Sequence, residues 1–349
     1  MTQDRLYLRP ESFYAEQGIT LRLGQAVTAI DTDARTVSYG DEVLPYDQLA
    51  LTTGSVPRRL PSAIGGDLDG VYEVRTLADV DAMAQSVNPG ARALIVGGGY
   101  IGLEAAAVAA KKDMQVVLVE MADRILQRVA APQTSAYFRK LHGDHGVDIR
   151  EGVGLSRLLG EGHVTGAELT DGTVLEVDLV IVGVGIAPAT DLAAAAGLRI
   201  DDGIWTDAFG RTSDPRIWAA GDCCSFPHGS GRLRLESVPN AIDQAEVVAQ
   251  NMLGAEVPYQ ATPWFWSDQY DVKLQIAGLN AGYTEVVERR TDDLSVSFWY
   301  FADGRLIAVD AMNDPRAYMV GKRLIEANES ADPAVVADPA SNLKALLTT

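Results

Sequence analysis

Cysteine is almost absent from this sequence: among 349 residues only Cys223 and Cys224 occur, and they are adjacent. Neighbouring positions give no disulfide framework, no zinc-ligand spacing and no C-x-x-C redox pair, a usage that fits a reducing cytoplasm. Positive charge is also scarce, with 29 Lys and Arg against 48 Asp and Glu and a formal net charge of -19. Such a surface repels nucleic-acid phosphates and anionic lipid head groups, so neither nucleic acid nor a membrane is an expected partner. Long apolar runs are missing too. No stretch reaches the about 18 to 20 residues of a membrane span without a charge or glycine, and the opening MTQDRLYLRPESFY has no basic-then-apolar leader pattern. The expectation is a cytoplasmic protein of two or three domains, since this length supports more than one core.

What is present is ordered along the chain. Residues 19–47 alternate apolar and polar in short runs, with Gly40 and Asp41 as a turn, and read as a small antiparallel meander. Residues 49–54 read as a short buried strand, and the Pro- and Gly-rich stretch 57–70 as a crossover. Between about 75 and 200 the pattern is β-α-β: a strand at 93–96, a glycine turn, an Ala-rich helix to 110 and a strand at 116–119. A helix around 135–142, strands near 164–169 and a buried strand at 179–182 follow. From Pro258 the alternation returns at 273–277, 284–288, 295–300 and 306–309, with Asp303-Gly304 as a hairpin turn and a helix at 317–327. The tail from Ser330 is rich in Pro, Asp and Ala and has little periodicity.

The chemistry-bearing motif is Gly97-Gly98-Gly99-Tyr100-Ile101-Gly102, a G-x-G-x-x-G placed after an expected strand and before an expected helix. Gly97 permits the tight turn, Gly99 leaves room for a pyrophosphate, Gly102 lets helix and strand approach, and the helix-start N–H groups face the phosphates. Glycines also end strands for structural reasons alone, so the order strand, motif, helix, strand carries the inference. Glu120 closes the second strand about 20 residues on, where a carboxylate binds both ribose hydroxyls of NADH and repels the 2′-phosphate of NADPH. Arg124 and Arg128 weigh the other way, as cations within reach of such a phosphate.

At these residues the chain resembles a family, the FAD-dependent NADH:ferredoxin reductases of bacterial oxygenase systems, of the putidaredoxin and rhodocoxin reductase type. The likeness is carried by GGGYIGLE together with YDQLALTTG (46–54), VRTLADVDA (74–82), VGVGIAP (182–188, with Gly185), TSDPRIWAAGDCC (212–224), ESVPNAIDQA (236–245) and PWFWSDQY (263–270). It implies an α/β fold with two Rossmann-like nucleotide-binding domains and an α+β C-terminal domain. The FAD domain, residues 1–74 and 204–254, is incomplete; the NAD domain, 75–203, is inserted in it; and the C-terminal domain is 255–349. By the resemblance, Asp222 after Gly221 accepts a flavin ribityl hydroxyl, and Val238 and Pro239 start a helix facing the flavin pyrimidine edge. Val27 meets the flavin nucleotide through its backbone, while Arg75 and Trp266, with Trp264 nearby, lie beside the flavin. On residue type alone Asp222 reads equally as a helix cap and the tryptophans as packing.

The family opens with its own glycine-rich unit for the FAD pyrophosphate and then a lysine near the flavin, whereas this sequence opens at Met1 directly upstream of RLYLRPESFY. Either it starts at an internal methionine of a longer protein, which the retention of every other motif favours, or it is a short product that binds flavin poorly. Glu104, whose family counterpart pairs with that lysine, is then expected to lack its partner, and remaining strands to expose apolar edges.

The implied function is electron transfer from NADH through FAD to a two-iron ferredoxin, with Glu104 as the catalytic-site carboxylate and no metal site. Arg232, Arg234, Lys273, Lys322 and Arg323 are expected to form a ferredoxin-docking patch on this acidic protein, Arg234, Lys273 and Lys322 foremost. Two alternatives stay open: a flavin reductase serving rubredoxin or nitrite reduction, and a non-catalytic NAD-binding fragment. A disulfide reductase is disfavoured, since no C-x-x-x-x-C pair is present.

Overall fold

The structure is a computed structural model and describes residues 6–347. The expectation drawn at Met1 lies outside the described residues. Strands Val27–Asp31, Thr36–Tyr39 and Glu42–Pro45 form the antiparallel meander, turning at Gly40 with φ +52°. Residues 19–24, expected to share in it, are not strand. The next strand, Leu49–Leu51, pairs in parallel with Ile217–Ala219, far along the chain. Trp218 is buried beside this pair and donates its indole N–H to Gln48 Oε1 at 2.6 Å.

Between those two strands the chain builds a separate five-stranded parallel sheet. Its centre is β1 (Arg92–Val96), followed by α1 (Tyr100–Lys111), β2 (Gln115–Glu120), α2 (Pro132–Asp144) and β3 (Leu179–Val182). The order is Val71–Tyr72, β3, β1, β2, Asp148–Glu151. From Ala93 onward β1, like the whole of β3, is continuously apolar because both faces are covered. On one side α1 buries Leu103, Ala106 and Ala109, and α2 buries Phe138; on the other, Leu158, Val164 and Leu169 of an antiparallel ribbon close the core. Helix α3 (Val238–Met252) begins on a Ser237 cap with Pro239 in its first turn, where a missing N–H costs nothing.

The C-terminal sheet contains β4 (Trp264–Gln269), β5 (Val272–Gly278), β6 (Glu285–Arg290), β7 (Val296–Ala302) and β8 (Arg305–Met312), all antiparallel in the order β4-β5-β8-β7-β6. Helix α4 (Pro315–Ala327) covers one face and is capped by Asp314, whose Oδ1 accepts the Ala317 N–H at 2.9 Å. The other face packs on the parallel-sheet unit, so Val272, Leu274, Phe298 and Met312 share one core with Ile95, Leu103 and Phe138.

Two expectations need correction here. The strand β4 was not anticipated, because WFWSDQ reads as an aromatic pair until its pairing with β5 supplies the ladder. The tail is also more ordered than its composition implies. Pro333–Ala337 is helical, Val336 and Leu343 are buried, and the buried Arg289 guanidinium donates to the carbonyls of Val336, Pro339 and Ser341. The ordering comes from a distant cation, which local periodicity does not register.

Candidate nucleotide and electron-transfer site

The glycine loop between β1 and α1 is held by close backbone approach. Gly97 has φ +107°, and a Cβ there would sit 2.4 Å from the Gly183 carbonyl oxygen. At Gly102 a Cβ would lie 2.0 Å from the Gly97 oxygen. Gly98, an unrestricted position in the motif, is constrained as well: its Cβ would meet Ile125 Cγ2 at 2.7 Å. Gly99 differs, since among the described residues nothing lies within 4 Å of the added atom. That open side is where a ligand backbone fits, and with no side-chain cap at Gly99 the first-turn donors of α1 have room for an anion. Ile101 is half exposed there, while the Tyr100 ring packs on Phe265 at 4.7 Å and its hydroxyl is buried.

Glu120 stands at the end of β2 as expected. Its Oε2 accepts the Gly98 N–H at 2.7 Å and its Oε1 accepts the Ala122 N–H at 2.8 Å, so the loop and strand end fix the carboxylate. Arg124, weighed above as a cation within reach of a 2′-phosphate, is engaged elsewhere: its Nη1 donates to Ser135 Oγ at 2.5 Å and its Nη2 to the Ala130 carbonyl at 2.8 Å. Arg128 and Arg58 instead flank Gly185, which has φ +101°.

A second constellation lies where Leu49–Leu51 and Ile217–Ala219 end. Asp222 Oδ2 accepts the Ser55 hydroxyl at 2.8 Å and lies 3.7 Å from Arg75 Nη2; Arg75 Nε also donates to the Ser55 carbonyl at 3.1 Å. Gly221, with φ +81°, donates its N–H to Gln244 of α3 at 2.8 Å. Val238, the first residue of α3, is 58% exposed, so this helix start is uncovered. Trp266 is half-buried on β4, 5.7 Å from Trp264 between ring centroids. Val27 is exposed on its strand and pairs with Tyr39.

Glu104, in the second turn of α1, has a partner that the sequence did not suggest. Ser267 Oγ of β4 donates to Glu104 Oε1 at 2.5 Å. Burial pushes the carboxyl up, the Ser267 hydrogen bond opposes this, and the Asp268 charge adds to the rise. Glu104 thus accepts a hydrogen bond from a neutral hydroxyl of the C-terminal sheet, a contact distinct from the lysine pairing that the resemblance implies.

The expected docking cations do not form one free patch. Arg232 is tied to the carbonyls of Thr206 and Ser225, and Arg234 is 13% exposed, paired with Glu236 and Asp202. Lys322 pairs with Glu326 at a cavity of about 350 Å³ that Tyr259 and His228 also line. Lys273 is exposed on β5. Both cysteines are buried, and burial pushes the Cys224 thiol up to about 12, so it stays a thiol rather than a redox thiolate. Among the described residues no group of His, Cys, Asp and Glu is arranged for a metal, and no helix is long and apolar enough to cross a membrane.

A glycine loop open toward an anion, with a strand-end carboxylate locked beside it in a parallel sheet, defines a pyridine-nucleotide-dependent oxidoreductase. The chain belongs to the pyridine nucleotide-disulphide oxidoreductase family, which matches residues 5–245, with a reductase C-terminal domain at 264–347. It is 44% identical to a ferredoxin–NAD(P)+ reductase of a Sphingomonas species, covering 99% of this chain and 84% of that one. Against putidaredoxin reductase of Pseudomonas putida the figures are 40%, 99% and 84%. The reductase in a crystal structure of a covalent putidaredoxin reductase–putidaredoxin complex superposes with a TM-score of 0.94 at 40% identity, over 100% of this chain and 86% of that one.

Proposed function

We propose that this protein takes electrons from NADH and passes them through FAD to a two-iron ferredoxin that serves an oxygenase. The observation that carries the reading is the placement of Glu104 and the open Gly99 on one helix, with β4 against it, in a fold shared nearly end to end with ferredoxin reductases. The residues fit both nucleotides. The empty side of Gly99 and the fixed Glu120 suit NADH; Asp222, Arg75 and the uncovered start of α3 suit FAD. FAD, when bound, supplies the conversion between two-electron and one-electron transfer. The protein supplies position and charge. Glu120 holds ribose hydroxyls, the α1 start holds pyrophosphate, and Glu104 offers a fixed negative charge where a nicotinamide becomes cationic on oxidation. The α3 start, positive by its dipole, favours an anionic ring edge. The proposed division is 75–203 for NADH, 1–74 with 204–254 for FAD, and 255–349 as the third domain.

Glu120→Ala is expected to raise the KM for NADH about tenfold or more, the loss of charge-assisted hydrogen bonds, and to narrow the preference over NADPH. Steady-state kinetics with both nucleotides checks this; an unchanged preference would remove Glu120 from the ribose site.

The ferredoxin end rests on Lys273, exposed on β5, and on Lys322, half-buried and paired with Glu326. Because Arg234 is largely internal, Lys273→Glu with Lys322→Glu is the chosen reversal. It is expected to weaken ferredoxin reduction about tenfold while sparing ferricyanide reduction by NADH. Equal loss of both activities would sink the docking assignment. A chain that binds NADH yet takes up no FAD would sink the electron-transfer reading itself.

A further inference from the structure

Ser267, Gln269 and His142 are buried polar residues that the reading above does not use, and they lie in a line ending on Glu104. The Tyr270 hydroxyl is 3.3 Å from His142 Nδ1, and His142 Nε2 is 2.8 Å from Gln269 Oε1. Gln269 Nε2 donates to Ser267 Oγ at 3.1 Å, and Ser267 Oγ donates to Glu104 Oε1 at 2.5 Å. Residue chemistry fixes the direction. An amide oxygen only accepts, so His142 carries its proton on Nε2, and the neutral ring's Nδ1 is left to accept from Tyr270. A carboxylate only accepts, so Ser267 gives its one proton to Glu104 and receives from the Gln269 amide. Four donors thus point the same way, each polarising the next. The line runs from α2 through β4 to α1, joining two helices of the parallel-sheet unit, one of them opened by the glycine loop, to one strand of the C-terminal sheet.

We propose that Ser267, Gln269 and His142 are positioning residues for the NADH site, a one-way hydrogen-bond chain that holds the Glu104 carboxylate in a single place and orientation. The role rests on the reading that Glu104 faces the nicotinamide. A carboxylate this buried drifts toward its neutral form, which has no charge to offer. The Asp268 charge from β4 pushes the same way, while the Ser267 hydroxyl and the Asp268 N–H resist. At the far end burial keeps His142 neutral, with His145 acting in the same sense, so the tautomer that donates to Gln269 persists. Lys111 lies 5.7 Å from the Tyr270 ring and His145 stacks on that ring at 3.7 Å, so both side chains flank the chain of hydrogen bonds from outside.

The test uses the full chain loaded with FAD. Infrared difference titration without NADH reads the Glu104 carboxyl directly, as the band that Glu104→Gln removes. Ser267→Ala is expected to raise its midpoint by about one pH unit, Gln269→Leu by less, and Ser267→Thr to leave it in place. Ser267→Cys, which keeps the size and weakens the donor, serves if the alanine variant does not fold. The acid limb of flavin reduction by NADH is expected to move by the same amount, with the KM for NADH unchanged. A midpoint that stays put in Ser267→Ala and Ser267→Cys would overturn the chain. A midpoint that moves while the acid limb does not would overturn the placement of Glu104 on which the role depends.

Discussion

Asp310→Ala is expected to lower the unfolding free energy by about 3 to 5 kcal/mol, whereas Asp310→Asn is expected to raise it at pH 8. Asp310, on β8, is fully buried where the C-terminal sheet meets the parallel-sheet unit. Its Oδ2 accepts the Tyr300 and Thr134 hydroxyls, the latter at 2.7 Å, and Tyr300 Oη also accepts the Ala131 N–H at 3.1 Å. Alanine leaves both hydroxyls without their acceptor and opens a cavity. Among the described residues the other oxygen, Oδ1, has no partner, and neither does the buried Tyr100 hydroxyl, whose ionisation is disfavoured by burial first and by the Asp310 charge second.

Burial pushes Asp310 up to about 6, from an ordinary value of 3.8. The sign follows directly. Below pH 3.8 the carboxyl is protonated in both states and nothing is lost. Between 3.8 and 6 the unfolded chain ionises while the folded one keeps its proton, so stability falls as pH rises, by roughly 3 kcal/mol in all. Above 6 the penalty is constant. Asparagine keeps an acceptor for the two hydroxyls and places an N–H donor in the second position, with no titration. Its thermal melts at pH 4.5, 6 and 8 should lack this fall; a slope equal to that of the parent protein would assign the pH dependence elsewhere.

Gly102→Ala is expected to weaken NADH binding about 100-fold, with a loss of stability of about 1 to 3 kcal/mol. The added methyl would stand 2.0 Å from a backbone oxygen, which no rotamer relieves, so α1 must retreat from the loop that it closes. Gly99→Ala separates packing from binding: its methyl meets nothing within 4 Å among the described residues, so the melting temperature should hold while the affinity for NADH falls. Calorimetric titration beside thermal melts distinguishes the two. If both variants melt alike and bind alike, the loop is not the nucleotide site.

How much of this was legible in the sequence depends on how local the cause is. The order β1, loop, α1, β2 follows from apolar runs and glycine spacing, and Glu120 is found by counting from the loop. Asp222 and Arg75 came only with the family likeness, yet the structure brings them together at 3.7 Å. Gly98 was passed over because the motif leaves its position free, although Ile125 from the next loop forbids a side chain there. Ser267 and His142 carried no signal, since their partners lie on other elements. Arg124 looked available for a phosphate until its hydrogen bonds to Ser135 and Ala130 were seen. The helical tail was hidden for the same reason: its organiser, Arg289, is about 50 residues away.

The parallel pair Leu49–Leu51 and Ile217–Ala219 bears on how such a chain can assemble at all. Trp218 meets Gln48 across a separation of 170 positions, a closure that is entropically costly for an open chain. The insert removes most of that cost. Once its own sheet has formed, Val71–Tyr72 and Leu179–Val182 are neighbours, and Ser55–Pro57 pairs with Ile186–Pro188 just beyond. The folded insert then acts as a clasp on the two free ends. The segments left to be closed are then 52–54 on one side of the clasp and 189–216 on the other, shorter than the whole span from 52 to 216.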